Sequence, residues 1–106
     1  MSKKENNDGV VTLESGRKVE INEMSIDDVD FCNDVTTVFY NEDGSTTIKG
    51  MSKARTTWLR RGIKGGDFDN FSMDGKFVSD SVIRQLNAEE KNELMQEIQA
   101  YQELGE

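Results

Sequence analysis

The chain has 106 residues and a formal net charge of −8, with 34% apolar and 32% charged residues, one Cys and no His. That length suits one domain that buries roughly two thirds of its unfolded surface, and the lean apolar content predicts a small core with loose termini. Without His the most versatile neutral-pH acid/base and the commonest nitrogen ligand are missing, which strongly disfavours zinc and triad chemistry; a single Cys excludes an internal disulfide. The acidic balance disfavours nonspecific nucleic-acid binding, which needs Lys and Arg in excess on one face. No apolar run approaches the roughly twenty residues of a membrane span, and no hydrophobic stretch follows Met1 to Lys4, so the expectation is a soluble, intracellular protein without membrane contact.

Met1 to Asp8 is polar and aperiodic and reads as a disordered arm, which leaves residues 9–106 as one small α+β domain. Val11, Leu13, Val19 and Ile21 alternate with polar residues on either side of Glu14-Ser15-Gly16-Arg17, the pattern of a β-hairpin. Ser25 then caps a short helix from Ile26 to Asn33, with Asp28 as the acidic capping-box partner and Ile26, Val29, Phe31 and Cys32 as its apolar side. Cys32, in that apolar setting, behaves as a small hydrophobe.

Thr36 to Tyr40 is β-branched and aromatic, and turn residues Asn41 to Ser45 separate it from Thr46, Thr47 and Ile48, so a second hairpin is expected. The competing reading ends a longer helix at Val38 and leaves residues 41–47 as an open loop. Ser52 can cap a basic helix with Ala54, Trp58 and Leu59 on one face, ended by Gly62 or by Gly65-Gly66. Asp67 to Asp74 reads as a loop whose Phe68 and Phe71 rings plug the core. Ser79 or Ser81 opens a helical turn through Val82, Ile83 and Leu86. Asn87 and Glu90 then form an Asn variant of the capping box for the clearest helix, where Leu94, Ile98 and Tyr101 make an apolar stripe with Met95 alongside.

Little of this carries reaction chemistry. Asp67, Asp69, Ser72 and Asp74 resemble a calcium loop in composition, but Ser72 stands where the sharp turn needs Gly and Val78 where a bidentate Glu is required. Gly62 to Gly66 lacks the Gly-Lys-Ser/Thr order of a phosphate loop and reads as a helix stop. Asp27 and Asp28 are adjacent and point to different sides of a helix, which suits no shared acid/base work. A non-enzymatic protein with no cofactor and no metal is therefore expected.

Charge is segregated instead. Residues 52–64 hold five of the thirteen basic residues around the only Trp, and no acid occurs between Asp43 and Asp67. Residues 22–34 and 87–106 are strongly acidic. Trp58 and Leu59 either sit in the core with the Arg side chains over acidic neighbours, or Arg55, Trp58, Arg60 and Arg61 meet the acidic surface of another subunit or partner, Arg being suited to bidentate carboxylate contacts. The stripe Leu94, Ile98 and Tyr101 has the same two readings, packing inside the domain or a partner seam.

The opening VTLESGRKVEINEMSIDD, a short hairpin around Ser15-Gly16 running into a Ser-capped acidic helix, resembles the N-terminal region of small tail assembly chaperones of tailed bacteriophages, over residues 10–34. The resemblance implies a non-enzymatic helper in the host cytoplasm that escorts the tape measure protein or another phage tail protein, self-associates, and leaves once the tail is built. Two alternatives stand beside it: a small structural protein of the phage virion, and an acidic inhibitor of a host nucleic-acid enzyme that offers carboxylates in place of phosphates.

Overall fold

A computed structural model describes residues 9–104 and shows an α+β fold around one hydrophobic core. The expected arm, Met1 to Asp8, lies outside the described residues. Strands β1 (Val10–Thr12) and β2 (Lys18–Ile21) form the expected hairpin, pairing Val11 with Val19. Their alternation places Val11, Val19 and Ile21 inward, and Leu13 follows them into the core. Helix α1 (Ile26–Asp34) starts where expected: the Asp28 backbone N–H donates to Ser25 Oγ at 3.1 Å. Its apolar side is narrower than the sequence suggests. Only Cys32 is buried and Val29 half-buried, while Ile26 and Phe31 are exposed, because the helix touches the body along one thin stripe.

The second hairpin is present as β3 (Thr37–Tyr40) and β4 (Thr46–Lys49), which excludes the longer helix and open loop. Helix α2 (Met51–Gly62) starts one residue before Ser52. Its N-cap is Gly50, in the left-handed region at φ 87°, and no side chain caps it. The chain must reverse sharply from β4 into the helix, a backbone path that favours Gly over Ser.

Gly62, one of the two expected stops, ends the helix, and the largest departure follows it. Residues Ile63–Gly66 form a third strand, β5, antiparallel to β2 in the order β1-β2-β5. A Cβ at Gly66, where φ is 132°, would lie 2.5 Å from the Lys18 carbonyl oxygen. The glycine therefore permits the backbones to approach, the positional role that Gly has within sheets. The stretch read as a loop also holds half of a small ladder, β6 (Met73–Asp74) with β7 (Phe77–Val78). Phe68 and Phe71 flank the core half-buried, their ring centroids 5.9 Å apart.

Ser79, not Ser81, precedes the one-turn helix α3 (Asp80–Ile83). Helix α4 (Ala88–Leu104) has its capping box in full: Glu90 N–H donates to Asn87 Oδ1 at 2.8 Å, and Asn87 N–H donates to Glu90 Oε1 at 3.0 Å. Its Leu94 and Ile98 are fully buried with Leu59 of α2 and Val19 and Ile21 of the sheet. Among the described residues no helix is long and apolar enough to cross a membrane.

Candidate partner-binding surface

The residues expected to meet a partner fall into two groups. Trp58, Leu94 and Ile98 belong to the core, with Ile98 and Leu94 at 0% exposure. The packing reading of the α4 stripe is the one the fold adopts, and the surface holds no apolar seam made of these side chains. Tyr101 is half-buried against the same core. Helices α2 and α4 approach so closely at Gly62 that a Cβ there would lie 2.5 Å from Ile98 Cγ2.

Two of the three expected arginines have carboxylate partners within the chain. Arg60 forms an ion pair with Asp80 and donates to the Val78 carbonyl at 3.1 Å. Arg61 pairs with Asp28 at 3.3 Å, and its guanidinium carbon lies 4.5 Å from the Phe31 ring centroid and 4.4 Å from that of Phe77. The acidic first turn of α1 thus receives the basic end of α2, and two rings sandwich the planar cation. Arg55 donates from Nη1 to Asn92 Oδ1 at 3.0 Å, which leaves its charge the one of the three without a carboxylate contact among the described residues.

Other charged groups are likewise taken up by structure. Asp67 accepts from Lys18 N–H at 3.0 Å, and the Asp69 backbone exchanges hydrogen bonds with the Gln85 side chain, so two members of the calcium-like loop serve to fasten it. Burial pushes the Cys32 thiol up to about 11, against the lowering pull of Arg61 and with a small rise from Asp28. A thiol so placed has little thiolate at neutral pH and is inert.

The exposed apolar surface lies elsewhere, on and beside the second hairpin. Among the described residues, Val38, Phe39, Tyr40, Ile48 and Met51 are five of the eight large hydrophobic residues left exposed, and Tyr40 is 83% exposed. Register and alternation put Val38, Tyr40 and Ile48 on one face, and Phe39 and Lys49 on the other, where Lys49 Nζ lies 5.5 Å from the Phe39 ring centroid. The tip is built independently of the body. Asn41 N–H donates to the Ser45 carbonyl at 2.9 Å, Gly44 turns the chain at φ 89°, and Asp43 Oδ1 accepts from the Ser45 hydroxyl at 2.6 Å and its N–H at 3.0 Å. Those Ser45 bonds hold the Asp43 carboxyl below its ordinary value. Among the described residues, β3 and β4 pair only with each other.

Sequence reasoning identified this hairpin as structure but not as surface. The available signal was that Val38, Phe39, Tyr40 and Ile48 are apolar at consecutive as well as alternate positions, so one buried face could not accommodate them all. No family model, no curated protein and no solved structure matches this chain.

Proposed function

We propose that the protein is a non-enzymatic assembly chaperone of the phage-tail kind that its first third resembles, escorting a long helical partner such as a tape measure protein in the host cytoplasm. The observation that carries this reading is the apolar face of Val38, Tyr40 and Ile48 on a hairpin that projects both of its faces into solvent. Contiguous apolar side chains at the surface mark contact sites for other chains, and a bed of Val, Ile and Tyr suits the apolar stripe of an amphipathic helix. The acidic remainder of the surface keeps such a protein soluble between encounters. Asp28, Asp67, Asp80 and Glu90, by contrast, serve in ion pairs, a helix cap and a loop anchor.

The test is capture of a long helical tail protein by the tagged chain from cells expressing both, repeated with Val38→Asp plus Tyr40→Asp. Both substituted side chains are exposed, so circular dichroism should show an intact fold while capture falls to background. Undiminished capture by that double variant would remove the hairpin face from the reading. Retention of the protein in purified mature particles would instead make it a structural subunit.

A further inference from the structure

We infer that the outer edge of β4 pairs with the same edge of a second copy, antiparallel, to make a four-stranded sheet in the order β3-β4-β4-β3. The inference rests on the reading of the hairpin as a contact surface and is independent of any partner's identity.

The ladder determines which backbone groups are available. Asn41 N–H to the Ser45 carbonyl makes the pair next to the turn a hydrogen-bonded one, so Phe39–Thr47 and Thr37–Lys49 are hydrogen-bonded pairs by alternation. The N–H and C=O groups of Thr46 and Ile48 consequently point away from β3, toward an edge that no other strand covers among the described residues. A free strand edge is a template for another strand. The usual guards are sparse here: the chain has no Pro at all, β4 carries no bulge, and Lys49 is its single charge.

Charge selects the occupant and the register. The hairpin is polarised, with Glu42 and Asp43 at the tip and Lys49 at the base. A parallel arrangement of two hairpins would set tip carboxylates against tip carboxylates. Antiparallel pairing about Thr47 places Thr46 opposite Ile48 of the second copy and Lys49 opposite its Ser45. Ser45 is the residue whose hydroxyl and N–H hold Asp43, so each Lys49 meets an acidic tip. Sliding the pair to centre on Ile48 keeps the same strand overlap but puts Lys49 opposite Thr47 and forfeits both charge contacts. The chosen register also joins Val38, Tyr40 and Ile48 of the two copies into one apolar face. An interface this short lies below the roughly 800 Å² per partner of stable complexes, so a weak, reversible dimer is expected.

Two measurements on the purified chain test this without any tail protein. Sedimentation equilibrium should show a monomer–dimer equilibrium in the micromolar range or above that shifts toward monomer with added salt and with Ile48→Pro, which removes an N–H the β3–β4 ladder does not use. Thr47 should face itself in a non-hydrogen-bonded pair, whose Cα separation of about 4.5 Å suits a disulfide. Thr47→Cys should therefore cross-link about tenfold or more faster than Glu42→Cys, since association raises the effective thiol concentration. A chain that stays monomeric up to several hundred micromolar, or dimers that ignore Ile48→Pro and cross-link equally at both positions, would overturn the inference while leaving the capture experiment above unaffected.

Discussion

Arg17 Nε lies 3.0 Å from Glu90 Oε2, joining the turn of the first hairpin to the N-terminus of the last helix across 73 residues of sequence. Glu90 is buried, yet its carboxylate accepts three hydrogen bonds. One oxygen takes the Ser15 hydroxyl at 2.7 Å and the Arg17 side chain, and the other takes Asn87 N–H as part of the capping box. Arg17 spreads its remaining donors to the carbonyls of Asp67 at 2.6 Å and Gln85 at 3.2 Å and lies over the Phe68 ring. One residue pair thus fastens the β1–β2 turn, the 67–71 loop, the turn after α3 and the start of α4 together.

This pair gives the protein an acid-sensitive joint. Burial alone would raise the Glu90 carboxyl, but the Asn87 N–H, the Ser15 hydroxyl and the Arg17 guanidinium outweigh it and hold the group below its ordinary value. A carboxyl depressed in the folded state contributes stability that is present above its unfolded pKa, about 4.3 for Glu, and is lost as pH falls through the folded value. Asp80 is depressed in the same direction by its hydrogen bond from Arg60. Thermal melts should be flat from neutral pH to about pH 5 and fall below that. Glu90→Gln should shrink the acid-side fall and lower stability at pH 7 by about 1–3 kcal/mol, because Arg17 and one cap donor lose a charged acceptor.

The thiol works in the opposite direction. Cys32, raised to about 11 by burial, stays protonated where an unfolded thiol ionises. A raised folded value means stability that is complete below the unfolded pKa of about 8.5 and declines as pH climbs toward 11. Labelling of native protein by a thiol reagent at pH 8 should be slow and should accelerate in denaturant. Fast labelling in the native state would show that Cys32 is not buried in solution.

Arg61 is the point where the basic and acidic segments of the sequence meet. Arg61→Lys keeps the charge near Asp28 but loses the plane that fits between Phe31 and Phe77, and should cost about 1–2 kcal/mol. Phe31→Leu should cost part of that and add nothing in the Arg61→Lys background, a non-additivity that chemical denaturation of the two single variants and the double variant would reveal.

The parts of this fold legible in the sequence are those set by short-range patterns. Alternation around Ser15-Gly16 located the first hairpin, Ser25 and Asn87 located two helix starts, and the β-branched and aromatic run before Asn41 located the second hairpin. Strand β5 was hidden because Gly and Lys are depleted in strands and Ile63 alone sets no alternation. It is a strand because Gly65 and Gly66 admit β2 at close range, a long-range fact. The α4 stripe stayed open between core and partner seam for a related reason. Amphipathic spacing marks a face that packs on something, and Leu94 and Ile98 satisfy that inside the domain, while the residues left outside lie on a hairpin whose exposure depends on what fails to cover it. Arg17 gave no signal at all, since its partners are spread from Ser15 to Glu90.

Gly62 ends α2 beneath Ile98, and its role is space. Gly62→Ala would gain helix propensity but place a methyl about 1 Å inside normal contact with the Ile98 side chain, so the net effect should be a loss of about 1–3 kcal/mol. Combining it with Ile98→Val, which removes one methyl, should recover part of the loss. Simple additivity of the two substitutions in urea denaturation would mean that the helices separate enough to relieve the contact.

The sharpest contrast between core and surface lies in two aspartate substitutions of similar chemistry. Leu94 is fully buried, and Leu94→Asp places a carboxylate in the apolar core that also holds Leu59, Val19 and Ile98. Removing the leucine alone costs about 2–5 kcal/mol, and desolvating a carboxylate there adds to that, which is enough to unfold a domain of ordinary stability. Tyr40 is mostly in water, so Tyr40→Asp should leave the melting temperature within a few degrees of wild type. Circular dichroism and thermal melts of the two variants decide which face is buried: an unfolded Leu94→Asp beside a folded Tyr40→Asp puts the α4 stripe in the core and the hairpin face at the surface, whereas a folded Leu94→Asp would return the α4 stripe to the surface.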